Sequence, residues 1–264
     1  MKIGFLGCGN MGGALARAVR RADPSAVIIL SDTDKRKRDA LAAEISARVA
    51  DADAMIREAH YVFLGLKPQV LPAVLPTRAD AAAGSRTAFI SMAAGVTLET
   101  LGELLGDVPI IRIMPNTAVL VGEGMTVFAK NAAVTENMTA DFLSMMSSSG
   151  RCDELPESMI DAACAVSGCG PAFAYLFLEA LADGGVACGL PRDRALAYAA
   201  QTVKGAMSMV SETARHPGEL KDAVCSPGGS TIAGVHALEE GGLRAAAMNA
   251  VMAAYKRTVE LGKK

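Results

Sequence analysis

The stretch Gly7-Cys8-Gly9-Asn10-Met11-Gly12 decides the fold of the first half of this 264-residue chain. It is a GxGxxG sequence that directly follows the apolar run Ile3–Leu6 and opens the predicted helix Met11–Arg21. Between a strand and a helix, the first glycine permits a tight turn, the second lets a pyrophosphate approach the backbone, and the third allows close packing. Free N–H groups at the helix N-terminus attract the phosphates. The stretch therefore predicts a dinucleotide-binding turn.

Short apolar runs recur through the first half and are separated by helical stretches such as Lys35–Ile45. The runs are apolar throughout rather than alternating, which is typical of strands buried on both faces of a parallel sheet. They are Ile3–Leu6, Val27–Leu30, Tyr61–Leu64, Ala88–Ser91 and Ile110–Met114. Strand–helix alternation of this kind predicts an α/β Rossmann-type domain.

The pattern changes near Pro156, after which nearly all of the chain has helical periodicity. The predicted helices are Glu157–Val166, Ala172–Cys188, Arg192–Ala214, Gly218–Val224, Thr231–Glu239 and Leu243–Leu261. We therefore expect a dinucleotide-binding domain over residues 1–155 and an all-α C-terminal domain over residues 156–264.

Composition excludes several classes of protein. A net charge of −2 argues against a nucleic-acid or anionic-membrane surface, and no stretch approaches the roughly 18 consecutive apolar residues that span a bilayer. The N-terminus does not resemble a signal peptide, so a cytoplasmic location is expected. The six cysteines form no CxxC pair, so we expect no metal site and small, reduced, buried side chains.

The second predicted strand ends at Ser31-Asp32 and is followed by a basic run over residues 35–38. An acidic residue at this distance from the glycines favours NAD, because it accepts the ribose 2′-hydroxyl. A serine with nearby basic residues suits the 2′-phosphate of NADP, although the basic run could also be a solvated first helical turn. The choice between NADPH and NADH stays open.

A second glycine turn, Ser226–Thr231, leads into a late helix. Successive backbone N–H groups at such a turn can hold a carboxylate or a phosphate, and the alternative is an ordinary helix cap. None of the three histidines stands in a nucleophilic motif. Reduction of a C=N bond fits this shortage of acid–base groups, because a protonated imine is already electrophilic and its nitrogen keeps the proton.

Together these residues resemble the pyrroline-5-carboxylate reductase family over essentially the whole chain. The strongest match is HPGELKDAV at residues 216–224 together with SPGGSTIAGVHALEEGGLRAAAMNAV at residues 226–251. Further matches are GFLGCGNMGGAL, FLGLKPQ, SMAAGVTLETL, RIMPNTAVLVGEGMT and VSGCGPAFAYLFLEALADGGVACGLPR.

The resemblance implies NADPH- or NADH-dependent reduction of 1-pyrroline-5-carboxylate to L-proline. It implies cofactor contacts at Leu6, Gly7, Cys8, Gly9, Asn10, Met11, Ser31, Gly65, Leu66, Lys67, Pro68, Met92, Ala93, Ala94 and Asn116. It implies substrate contacts at Glu157, Ser226, Gly228, Gly229, Ser230 and Thr231. Thr231 would orient the ring nitrogen as the catalytic residue, with the proton coming from solvent or with the substrate.

The chain departs from the family pattern in a few places. Ala52 and Ala223 stand where some relatives place an asparagine that contacts the cofactor, and Ser230 replaces a common Thr or Ala.

The family assembles through its helical domain, so the resemblance implies a homodimer or a larger ring of dimers, with the active site where one chain's nucleotide domain meets its partner's helices. The rivals are a β-hydroxyacid dehydrogenase, which would need a lysine absent from Gly170–Tyr175, and a non-catalytic dinucleotide sensor.

Overall fold

The structure is a computed structural model and describes residues 1–262. It separates into two compact units, of which one holds residues 1–169 with the end of the last helix from Ala254, and the other holds Gly170–Ala253. The predicted boundary at residue 155 falls where strands give way to helices, whereas the break in contacts comes between Cys169 and Gly170. The domain boundary at residue 155 therefore stays a prediction.

The first unit is built on one eight-stranded sheet in the order β3-β2-β1-β4-β5-β6-β7-β8. The strands are β1 Lys2–Leu6, β2 Val27–Ser31, β3 Arg48–Val49, β4 Tyr61–Leu64, β5 Ala88–Ser91, β6 Ile110–Met114, β7 Gly124–Lys130 and β8 Gly150–Glu154. All five predicted strands are present, and the pairs among β1 to β6 are parallel, as expected for a Rossmann-type sheet.

Helices cover both faces of this sheet. They are α1 Asn10–Ala22, α2 Lys35–Ile45, α3 Ala52–Glu58, α4 Leu71–Val74, α5 Ala79–Ala83, α6 Leu98–Leu105, α7 Glu136–Met146 and α8 Ile160–Ala163. One apolar core joins the sheet to α1, α2 and α7, and a second joins it to α3, α5 and α6. Side chains cap the N-termini of several helices. For example, the Asp34 side chain accepts a hydrogen bond from the Lys37 amide at the start of α2, and the Thr97 side chain accepts one from the Thr100 amide at the start of α6.

The second unit is entirely helical, as predicted. Its helices are α9 Gly170–Ala187, α10 Arg192–Thr213, α11 Pro217–Ala223, α12 Ser230–Glu240 and α13 Leu243–Gly262, the last of which runs on into the first unit. The predicted helix Glu157–Val166 is instead a 3₁₀ turn, then α8, then a π-helical turn over Cys164–Gly168.

A continuous helical run over Glu157–Ala187 is long and apolar enough to cross a membrane by length and composition alone. Only 11% of its most apolar part is buried. Glycine, serine and glutamate interrupt this run, so it contains no unbroken apolar stretch long enough to span a bilayer. Its exposed apolar face therefore needs a covering.

Candidate active site

The glycine turn after β1 has the geometry that a dinucleotide needs. Gly7 has a φ of +102°, and a Cβ there would stand 2.6 Å from the carbonyl oxygen of Gly65. A Cβ on Gly12 would overlap the carbonyl oxygen of Gly7, so both positions require glycine. At Gly9, which caps α1, no atom of the described residues other than its chain neighbours lies within 4 Å of a Cβ position. Only the middle glycine is therefore open to a ligand, as the pyrophosphate contact requires.

Two cavities adjoin this turn. The first, about 600 Å³, is lined by Leu6, Gly7, Ser31, Asp32, Thr33, Arg38, Val49, Ala50, Asp51, Ala52, Leu66, Val70, Val74 and Arg78. The second, about 410 Å³, is lined by Gly9, Asn10, Met11, Gly12, Lys37, Gly65, Leu66, Lys67 and Met92. Because they share Leu66 and adjoin the glycine turn, they fit the two halves of a dinucleotide. Most of the predicted cofactor residues line one or the other.

Cys8, Pro68, Ala93, Ala94 and Asn116 line neither cavity. The Cys8 thiol is buried, and burial, together with the negative charge of Asp32, raises its pKa to about 12. The thiol is therefore protonated at neutral pH, and any cofactor contact made by Cys8 uses its backbone.

Asn116 is engaged with the protein rather than open to a ligand. Its side-chain oxygen accepts from the amides of Ala118 at 3.2 Å and Met125 at 3.3 Å, and its Nδ2 donates to the Ser167 carbonyl at 2.9 Å. Asn116 therefore ties the end of β6 to β7 and to the π-helical turn. One proton on Nδ2 is left for the nicotinamide contact that the resemblance implies.

Two backbone hydrogen bonds hold the side chain of Asp32 in the first cavity. Its Oδ2 accepts from the Cys8 amide at 2.6 Å, and its Oδ1 accepts from the Asp34 amide at 2.7 Å. The carboxylate therefore joins the glycine turn after β1 to the loop after β2. The sequence marked Asp32 as a possible ribose ligand but did not predict the bond to the glycine turn.

Glu157 begins the 3₁₀ turn after β8 and lies in a network of charges. Its Oε1 accepts from the Leu98 amide at 2.7 Å and from Nη1 of Arg112 at 2.9 Å. Nη2 of Arg112 donates to Asp161 at 3.1 Å. Within residues 1–262, Oε2 of Glu157 receives no hydrogen bond, so half of this carboxylate remains available to a ligand.

Sequence reasoning missed Arg112 and Asp161. The available signal was one arginine inside the apolar strand Ile110–Met114, because a charge in such a strand is almost always paired when buried. The Arg112 side chain is 3% exposed, and its Nε has no partner among the described residues.

The Ser226–Thr231 turn lies in the second unit. Gly228 has a φ of +66°, and the Gly229 amide donates to the Ser226 carbonyl at 3.0 Å. Ser226 Oγ occupies the space that a Cβ on Gly229 would need. Gly229 caps α12, and no side chain within residues 1–262 accepts from the first turn of that helix. The N–H groups of Ser230, Thr231 and Ile232 therefore point out of the helix without an intrahelical partner.

An open groove of about 910 Å³ lies beside this turn. It is lined by Lys221, Gly228, Gly229, Ile232, Ala233, Val235, His236, Glu239 and Glu240. The predicted substrate-binding residues Ser226, Ser230 and Thr231 do not line this groove.

Among the described residues, no group of three His, Cys, Asp or Glu side chains is placed to hold a metal ion, and the six cysteines are free thiols. Cys8 is buried, Cys152, Cys164, Cys169 and Cys225 are half-buried, and Cys188 is exposed, so the expectation of a buried cysteine was wrong for Cys188.

Comparison with known proteins covers the whole chain. Residues 2–95 match the family described as NADP oxidoreductase, coenzyme F420-dependent, and residues 157–261 match pyrroline-5-carboxylate reductase dimerisation. The chain is 41% identical to pyrroline-5-carboxylate reductase of Arabidopsis thaliana, over 98% of this chain and 95% of the relative. It is 40% identical to that of Escherichia coli strain K12, over 99% and 98%.

The chain belongs to the pyrroline-5-carboxylate reductase family. Its fold agrees with the solved reductase from Coxiella burnetii, at a TM-score of 0.91, 30% identity and coverage of 98% and 97% of the two chains. It also agrees with the NADP-bound reductase from Plasmodium falciparum, at a TM-score of 0.86, 30% identity and coverage of 99% and 98%.

Membership of this family confirms the predicted activity. The chain is an NAD(P)H-dependent oxidoreductase that acts on an imine group and reduces 1-pyrroline-5-carboxylate to L-proline. The rival reading as a β-hydroxyacid dehydrogenase is not supported. Since residues 157–261 are the dimerisation region, the apolar run Glu157–Ala187 is a subunit-contact helix rather than a membrane span.

Proposed function

We propose that this reductase holds the carboxylate of 1-pyrroline-5-carboxylate at the Ser226–Thr231 turn while the C=N bond is reduced to L-proline. The observation that carries the proposal is the uncapped N-terminus of α12, where three N–H groups follow a glycine with a left-handed backbone. Such an end attracts an anion through its free donors and its partial positive charge.

The remaining groups suit the ring nitrogen of the substrate. The Thr231 hydroxyl, in the first turn of α12, orients this nitrogen by hydrogen bonding. The family resemblance names Glu157 as a second candidate partner of the protonated imine, and its Oε2 is the carboxylate oxygen that accepts no hydrogen bond within residues 1–262. A threonine hydroxyl is a poor acid, so the proton comes from solvent or with the substrate.

The glycine turn and its two cavities hold the cofactor. The open face at Gly9 and the first turn of α1 receive the pyrophosphate, while Met11, Lys67 and Met92 line the cavity on that side. When bound, the reduced nicotinamide supplies the hydride. The chain's part is then to align the imine carbon with the donor and to exclude water.

We also propose a cytoplasmic enzyme in which homodimers assemble into larger rings. Support for the dimer comes from the dimerisation region and its exposed apolar side chains. Further assembly and location rest on the family resemblance and on the composition of the chain.

The experiment uses the full chain and steady-state kinetics with 1-pyrroline-5-carboxylate and, separately, with 3-hydroxy acids. For Thr231→Ala we expect kcat to fall by about 10–100-fold, because a hydrogen bond to a charged group contributes about 1.5–3 kcal/mol, with NADPH affinity unchanged. Thr231→Ser, which keeps the hydroxyl, should recover most of the rate.

Either of two results would refute the role of Thr231: full turnover in Thr231→Ala, or equal losses in the alanine and serine variants. A rate with 3-hydroxy acids in place of the imine would instead contradict the substrate itself.

A further inference from the structure

The loop Met92–Val96 follows β5 and reaches the cofactor site. Its first residue lines the cavity of about 410 Å³ beside the glycine turn. Its last amide donates to the Ala93 carbonyl at 3.4 Å, and the Ala93 amide donates to Ser91 Oγ, also at 3.4 Å. Both distances exceed the usual range of about 2.7–3.2 Å for an N–H donor and an oxygen acceptor. These two hydrogen bonds therefore hold the loop only weakly.

The last described turn of α13 lies directly against this loop. Gly95, the third residue of the turn Ala93–Val96, has a φ of +74°, as a type II turn requires. A Cβ on Gly95 would lie only 3.0 Å from the Cα of Gly262 and 3.3 Å from its amide nitrogen. Neither atom can rotate away, because both belong to the backbone of α13. Glycine is therefore required here both by the turn and by the contact with the helix.

The helix face that contains Gly262 carries small side chains. Ala254, Thr258 and Gly262 follow one another at intervals of four residues, so they share one face of α13, and the first two are half-buried. The Thr258 hydroxyl donates to the Ala254 carbonyl at 2.9 Å, which satisfies it within the helix. Leu261 is the large apolar residue of the last turn and is 55% exposed. Small residues on this face let the helix backbone approach the loop.

We propose that the last turn of α13 positions the cofactor loop: the helix backbone at Gly262 supports Met92–Val96 from behind and keeps it against the cofactor cavity. Gly95 and Gly262 are the positioning residues, and neither needs to touch the cofactor. This proposal rests on the cofactor site proposed above and does not depend on the Ser226–Thr231 turn.

The first test is binding of NADPH to the full chain, measured by calorimetry. In Gly95→Ala the new Cβ is too close to α13 and is held at a positive φ, so the free loop moves to relieve both strains. Cofactor binding must then return the loop to its place, which lowers the apparent affinity. We expect Kd for NADPH to rise about five-fold or more.

Gly106→Ala is the matched control for backbone strain. Gly106 has a φ of +85°, and no atom of the described residues other than its chain neighbours lies within 4 Å of a Cβ position. The substitution therefore strains the backbone at the end of α6 without making a contact. We expect it to leave Kd for NADPH unchanged, even where it lowers the melting temperature.

The second test changes the helix instead of the loop. A Cβ on Gly262 would lie 3.4 Å from the Gly95 carbonyl oxygen and 3.5 Å from its Cα, which is ordinary contact, so Gly262→Ala should keep the affinity. Gly262→Pro removes the helical amide and clashes with the preceding turn, so the end of α13 leaves the loop. We expect Gly262→Pro to raise Kd about as much as Gly95→Ala does.

Hydrogen exchange gives a readout that loss of stability alone would not move. NADPH should slow the exchange of amides 257–262 in the unmodified chain, because a held loop supports the helix end, and this protection should vanish in Gly262→Pro. Unchanged affinity in Gly262→Pro would overturn the proposal, since the loop would then keep its place without α13. Equal losses in Gly95→Ala and Gly106→Ala would overturn it too.

Gly9→Val separates this proposal from the cofactor site on which it rests. A valine there fills the open face of the glycine turn and should abolish NADPH binding. If Gly9→Val bound NADPH normally, the cofactor site itself would be wrong. If Gly9→Val lost binding while Gly95→Ala and Gly262→Pro kept it, only the role of α13 would fall.

Discussion

At the scale of single residues, Arg112 is the one charged residue that is buried among residues 1–262. Its guanidinium is 3% exposed and pairs with Glu157 at 2.9 Å and Asp161 at 3.1 Å. Arg112→Met leaves both carboxylates without their cation. Breaking a buried pair from one side costs about 3–5 kcal/mol, so we expect the free energy of unfolding to fall by about 3 kcal/mol, given partial exposure of the carboxylates. Urea denaturation at one fixed protein concentration measures the loss.

Arg17→Met is the control for this loss. Like Arg112, Arg17 donates two hydrogen bonds to carboxylate oxygens, in this case both on Glu44. Its side chain, however, is 35% exposed. An exposed pair contributes about 0–1 kcal/mol, so this variant should change stability little. Equal losses in the two variants would mean that burial does not determine the contribution of Arg112.

The sequence predicted the types of site residue better than their partners. The roles of Gly7, Gly9 and Gly12 follow from the motif, because each depends on local backbone geometry, and the structure confirms that geometry. The network around Arg112 was beyond prediction, since its carboxylates lie far away along the chain. Spacing along the chain does not show which distant side chains meet.

At the scale of elements, the end of α2 carries a local strain. Ser46 caps this helix with a φ of 53°, a left-handed conformation that costs about 1–2 kcal/mol for a residue with a Cβ. Glycine removes that cost but loses more entropy on folding. We therefore expect Ser46→Gly to raise the free energy of unfolding by about 0.5–1 kcal/mol.

Ala40→Gly is the control within the same helix. Ala40 is exposed in the interior of α2, where glycine costs about 1 kcal/mol relative to alanine. Thermal unfolding should therefore show opposite shifts in melting temperature for the two glycine substitutions. Destabilisation by both would show that the left-handed cap costs less than the flexibility that glycine adds.

Which elements could be predicted depends on burial. The strands β1, β2, β4, β5 and β6 are buried on both faces and mostly apolar, so their sequences are distinctive. The strands β3, β7 and β8 were missed. β3 has only two residues, and β8 is a polar strand at the edge of the sheet. β7 contains a glycine, a threonine and a lysine and pairs antiparallel with β6.

At the scale of the whole molecule, the second unit has only a small apolar core of its own. The buried apolar residues of Gly170–Ala253 are Ala182, Ala195 and Ala199, all small. Large apolar side chains of the same unit are exposed, among them Leu176 at 67% and Tyr175 at 63%. Exposed surface of this kind marks a protein interface, and the match to a dimerisation region identifies the partner as a second copy of the chain.

Leu176→Arg tests this conclusion directly. In a two-fold dimer each substitution occurs twice, and truncating or charging a central interface residue costs about 2 kcal/mol or more. We expect light scattering after size exclusion to show monomers, with a lower melting temperature and loss of turnover. Leu143→Arg is the control, since Leu143 is 40% exposed on α7 outside the dimerisation region and should leave the dimer intact. A dimer that survived Leu176→Arg unchanged would show that α9 faces something other than the second subunit.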